Sequence, residues 1–168
     1  MLIGLFAAAV LAQGADAEMF AETEGWSIAR HDGGCLMTRE FGGEGNTIVT
    51  FAVDPTDSSA PLTILVGNSD WSFPDAEDEG YRIEFSGNDA VWNDLAVHTF
   101  TTDDDGDDRP DGVISIGFAD DAITPLLEDV AGATGLHLSR QGETVDRVPL
   151  SGTGAAVNSL GACVSTLP

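Results

Sequence analysis

The sequence predicts an α+β fold: mainly antiparallel β-sheet, sandwich or barrel-like, with two short helices, the second at the C-terminal end. Three observations predict it. Short runs rich in β-branched and aromatic residues recur from Trp26 onward, separated by Gly, Asp, Asn and Pro. Helical periodicity enters late, in two segments after residue 120. The 42% apolar content is too high for a disordered acidic chain, and 168 residues suit one domain.

The elements follow in order. Trp26–Arg30 and Cys35–Phe41 read as strands joined through Asp32-Gly33, a hairpin signal. Gly42–Asn46 turns the chain into Thr47–Val53, and Leu62–Val66 follows a loop bracketed by Pro55 and Pro61. Asp70–Gly80 reads as an acidic loop carrying Trp71 and Phe73. Tyr81–Phe85 alternates apolar and charged residues, as a strand with one buried face must. Val91–Phe100 and Val113–Phe118 are further strands flanking an aspartate-rich loop. Ile123, Leu126, Leu127 and Val130 then fall on one helical face, with Thr124 as N-cap, Pro125 at the first helical position and Gly132 or Gly135 as the stop. Leu136–Arg140 and Thr144–Leu150 form a hairpin around Gln141-Gly142-Glu143. Ser151-Gly152-Thr153-Gly154 opens the last helix, whose stripe is Ala156, Leu160, Cys163 and Leu167.

Residues 1–17 read as a secretory signal peptide. Leu2–Ala12 is an apolar run too short to span a bilayer, and Ala15-Asp16-Ala17 places small residues where signal peptidase reads, so cleavage is expected after Ala17. The remaining 18–168 form one β-rich domain, periplasmic or secreted, with no membrane insertion after cleavage. Two cysteines in an exported chain suggest a Cys35–Cys163 disulfide; buried free thiols and intermolecular bridges are the alternatives.

Charge excludes some functions. The chain carries 29 acidic against 6 basic side chains, all arginine, a formal −23. Nucleic acid and anionic membrane surfaces demand a basic patch, so neither is an expected partner. His31, His98 and His137 show no metal-binding spacing, and no nucleophile-elbow motif is present. The sharpest chemical signal is residues 103–112, DDDGDDRPDG. Asp103, Asp105, Asp107 and Asp111 stand at positions 1, 3, 5 and 9, with the Arg109 carbonyl at position 7, an oxygen set suited to calcium. Position 6 is Asp108 where such loops favour glycine, and position 12 is Ile114 in place of an acid.

Two resemblances follow from these residues. Trp26…Cys35-Leu36-Met37-Thr38-Arg39-Glu40-Phe41-Gly42 resembles a W…C-x-(apolar)-x-R-x-F-G pattern of small exported alphaproteobacterial domains of unknown function, also found attached to energy-transducer proteins of the TonB type. Leu150–Ala156 up to Cys163 looks like the same family's final strand, glycine turn and helix ending in cysteine. The resemblance implies the disulfide and the topology, and no activity. The aspartate loop is similar to calcium-binding repeats of the thrombospondin type 3 kind, which implies calcium as a cofactor.

The functional expectation is an exported, non-catalytic binding or envelope-associated module, its partner an unknown protein or small ligand, met through Trp71 and Phe73. The alternatives are a secreted hydrolase with a carboxylate site and an acidic inhibitor of a basic protein.

Overall fold

The computed structural model describes residues 17–31, 33–42, 46–102 and 111–168. Ten strands and two helices follow in the order β1 (Glu18–Thr23), β2 (Trp26–His31), β3 (Gly34–Phe41), β4 (Thr47–Val53), β5 (Leu62–Asn68), β6 (Ala76–Ser86), β7 (Ala90–Thr102), β8 (Asp111–Phe118), α1 (Asp120–Ala131), β9 (Gly135–Arg140), β10 (Glu143–Pro149) and α2 (Thr153–Val164). The strands form one antiparallel sheet in the order β1-β2-β3-β4-β5-β8-β7-β6-β9-β10.

Turn chemistry sets the hairpins. Thr23 pairs with Trp26 across Glu24 (φ 49°) and Gly25 (φ 86°), and Arg140 pairs with Glu143 across Gln141 (φ 51°) and Gly142 (φ 87°). Two consecutive residues at positive φ match the right-handed twist of the strands they join. Period-2 patterning then sets the register. Ile28, Met37, Phe51, Ile64 and Ile116 are cross-strand neighbours over five strands and all are buried. A slip of one residue would turn such a row to the opposite face.

The sheet rolls, bringing distant strands together. Thr47 at the start of β4 donates to Asp146 Oδ2 of β10 at 2.7 Å, and Asn68 at the end of β5 donates to Thr47 Oγ1 at 3.0 Å. Inward side chains from β2 through β10 thus share one core with the buried faces of α1 and α2. Helix α2 lies against β1, β2, β3 and α1, presenting Thr153, Ala156, Leu160 and Cys163 inward. Cys35 and Cys163 are bridged, with Cα atoms 6.1 Å apart, inside the range an unstrained disulfide spans.

Three local features differ from the sequence reading. β1 was not anticipated: Glu18, Met19 and Phe20 are exposed, so its sequence carries no one-sided alternation. Helix α1 begins at Asp120, one turn before the expected Thr124 cap, and Pro125 lies inside it. Asp120 and Asp121 in the first turn suit the positive end of the helix dipole, while Leu126 and Val130 bury its inner face. Gly132 caps its end, donating to Glu128 O. Ala76–Gly80, the second half of the expected acidic loop, belongs to β6.

Among the described residues, no helix is long and apolar enough to cross a membrane. Residues 1–16, and with them most of the expected signal peptide, lie outside the described residues.

Candidate functional site

The residues that carry the family resemblance meet around one turn. Trp26 Nε1 donates to Ser151 O at 2.8 Å, and Arg39 donates to Ser151 O and Oγ, both at 3.0 Å. The Arg39 guanidinium lies 5.1 Å from the Phe41 ring, whose edge meets Trp26 at 5.9 Å. Gly152, next in the chain, adopts φ 70°, and a Cβ there would come within 2.5 Å of Glu24 Cβ. The motif therefore fixes the turn from which α2 starts, while Cys35 ties that helix down near its far end. These residues build scaffold.

A more chemical arrangement lies on the outer face of β6, β9 and β10. In β6, Tyr81, Ile83 and Phe85 point into the core, which turns Arg82, Glu84 and Ser86 outward. Register aligns Val91 of β7, Glu84 of β6, His137 of β9 and Arg147 of β10 as one cross-strand row. Glu84 Oε2 meets His137 Nδ1 at 3.0 Å, and its Oε1 accepts from Arg82 at 2.7 Å. His137 Nε2 lies 3.0 Å from Thr144 Oγ1. An ionised carboxylate only accepts, so Nδ1 carries the proton; in the neutral ring Nε2 accepts from the Thr144 hydroxyl.

Carboxylate, imidazole and hydroxyl in that order are the components of a nucleophile relay. Here they stand on a wetted face. The Glu84 and His137 side chains keep 36% and 22% of their surface exposed, and Thr144 is exposed. Water competes for each of these hydrogen bonds, so the row acts as a polar ladder across the sheet.

Glu84, His137 and Arg147 floor a groove of about 680 Å³. Ser86 and Gly135 face each other in the neighbouring row, and their small side chains leave the hollow open. Val91, 40% exposed, and Pro149 add apolar wall, and Asp89 of the β6–β7 turn lines the groove. A second hollow of about 410 Å³ is lined by Phe73, Tyr81, Arg140 and Thr144.

Trp71 and Phe73, expected to be the exposed loop aromatics, are half-buried against the core, their rings 5.7 Å apart. Phe73 N donates to Thr101 Oγ1, whose hydroxyl donates back to Phe73 O, both at 2.9 Å. A Cβ on Gly112 would strike Trp71 Cβ at 2.5 Å, so the indole's backbone lies directly over β8. Of the expected calcium ligands, Asp103, Asp105, Asp107 and Arg109 lie outside the described residues; Asp111 is buried at the start of β8. His98 sits between Asp75 (3.2 Å) and Glu77 (2.9 Å), on exposed side chains.

What joins His137 to Glu84 is the pairing of β6 with β9, strands about fifty residues apart, and along-chain spacing carries no signal for it. No protein-family model matches the chain, nor does any curated protein or solved structure.

Proposed function

We propose that this chain is an exported, non-catalytic binding module of the cell envelope or its surroundings, with the β6–β9–β10 groove as its ligand-contacting face. One observation carries the reading: a concavity within the size range of small-ligand sites, walled partly by exposed apolar surface and floored by Arg147 and the hydrogen-bonded Glu84–His137 pair. The signal peptide belongs to the same proposal; β1 starts at Glu18, immediately after the expected cleavage point. So do membership of the exported alphaproteobacterial domain family and calcium held by residues 103–111. A contact through Phe73 would use the second, smaller hollow.

The test is fragment screening by two-dimensional NMR on isotope-labelled protein, repeated on Ser86→Phe, which fills the groove from an exposed position. Saturable shifts along β6, β9 and β10 that vanish in the variant support the reading. Shifts confined to other surfaces, or unchanged by the plug, overturn it. Calcium binding is tested separately below, because it does not depend on the groove.

A further inference from the structure

We propose that the groove takes a short zwitterionic peptide, its terminal carboxylate on Arg147 and its terminal ammonium toward Asp89. This rests on the reading of the groove as the ligand face, and adds the class of ligand.

Arg30 donates to Thr166 Oγ1, Arg39 to the Ser151 turn, Arg82 to Glu84 and Arg140 to Asp78. Arg147 differs: among the described residues its guanidinium makes no ion pair or hydrogen bond. In a chain with 29 carboxylates, an unpaired guanidinium in a groove needs a reason. The acid beside it in β10 and the acid in its cross-strand row bond elsewhere. The β-bulge between Thr144 and Asp146 shifts the register of β10, and Asp146 gives its Oδ2 to Thr47 of β4. Glu84 has one oxygen on Arg82 and the other on His137. The planar fork of Arg147 is thus left open to a carboxylate from outside, the group it matches in two-point geometry.

Charge narrows the class further. At −23 the protein repels free anions, and screening removes that field only beyond about 8 Å at physiological salt. A ligand with no net charge avoids this repulsion while still offering a carboxylate to Arg147. Asp89, at the opposite side of the groove, supplies the complementary charge for an ammonium. From β10 across β9 to β6 and its turn toward β7 is two to three strand spacings, roughly 10–14 Å. An extended chain covers that distance in about three or four residues. Val91 and Pro149 offer apolar contact to the residues between its ends.

The experiment titrates the whole chain with the tetrapeptide Ala-Ala-Val-Ala, its C-terminal amide, its N-acetyl form and propionate, by calorimetry with NMR mapping. Expected are saturable binding of the free peptide along β6, β9 and β10, at least tenfold weakening on amidation and several-fold weakening on acetylation. Arg147→Gln should lose the same tenfold and make amidation irrelevant. Asp89→Asn, tolerable at φ 56°, should make acetylation irrelevant, while Asp120→Asn, an equal charge change on α1, leaves binding unaltered. Equal affinity for the amide, unchanged binding by Arg147→Gln, or propionate binding as well as the peptide overturns the inference. If neutral fragments occupy the groove and no peptide does, the ligand class fails and the binding face stands; if Ser86→Phe changes nothing, both fail.

Discussion

Breaking the Cys35–Cys163 bridge should destabilise the domain far more than any surface change. The bridge closes a loop of 128 residues in sequence. In the chain-entropy treatment, cross-linking so long a loop removes about 17 cal/mol/K from the unfolded ensemble, or roughly 5 kcal/mol at 25 °C. Both cysteines are fully buried, so a Cys35→Ala/Cys163→Ala variant also loses the packing of two sulfur atoms, while reduction of the natural chain leaves them in place. Comparing the two separates the cross-link from the packing. With a urea dependence of about 2 kcal/mol per molar, reduction should lower the unfolding midpoint by roughly 2.5 M, and the Ala pair by somewhat more. In thermal scans the same loss is on the order of 10–20 °C. Urea unfolding of oxidised, reduced and doubly substituted protein, followed by tryptophan fluorescence and far-UV circular dichroism, measures it. A midpoint change below about 0.5 M at constant slope would refute the reasoning. A first transition in which α2 alone melts would refute it differently, since the entropic term assumes that the linked segments unfold together.

Three further outcomes are expected. Gly152→Ala should cost about 2–4 kcal/mol in urea unfolding, because it combines left-handed backbone strain with a Cβ 2.5 Å from Glu24 Cβ; a loss below 0.5 kcal/mol would mean that the turn relaxes freely. Asp54 is held below the ordinary carboxylate value, first by the Thr56 hydroxyl, then by backbone N–H groups and by the nearby His31, with burial opposing. A depressed folded-state value contributes stability above the unfolded value of about 3.9 that is lost as pH falls through the folded one. Thr56→Val should therefore move the Asp54 carboxyl titration upward and flatten the stability–pH curve below about pH 4; an unmoved titration removes the assigned cause. Calcium should bind with a dissociation constant of about 0.1–1 mM, in the range of extracellular modules, and Asp105→Asn/Asp107→Asn should abolish it. Equal binding by that variant would reduce the aspartate loop to a charged turn.

The sequence was legible both where one face is buried and the other wet, as in Tyr81–Phe85, and where a strand is buried almost throughout, as in Cys35–Phe41 and Thr47–Val53. Tyr81–Phe85 and the strands Cys35–Phe41 and Thr47–Val53 fall where alternation or β-branched content placed them. β1 was hidden because an exposed edge strand needs no apolar face. Pro125 misled the placement of α1. The acidic residues ahead of it, with Leu126 and Val130 packed below, sustain a helix through a position that lacks its N–H. The candidate site was less legible still. Glu84, His137, Thr144 and Arg147 lie in three strands, and their meeting depends on β6 pairing with β9, a choice that local turn chemistry does not make. Trp71 and Phe73 sit in a loop and are nonetheless half-buried, because Gly112 and Thr101 give that loop a bed.

The position of α2 carries a consequence for biogenesis. Of the elements described, it is made last, yet it covers β1, β2 and β3, which are made first. A chain emerging from a ribosome or a translocation channel therefore holds its earliest strands without their cover until the final segment arrives. Cys35, buried on β3, has no partner until Cys163 of α2 is made. The consecutive strands β1–β4 can pair as they appear, but their packing is completed only when α2 docks. A holding chaperone, or a channel that keeps the chain extended, would matter more to this protein than to one whose first strands complete their own core.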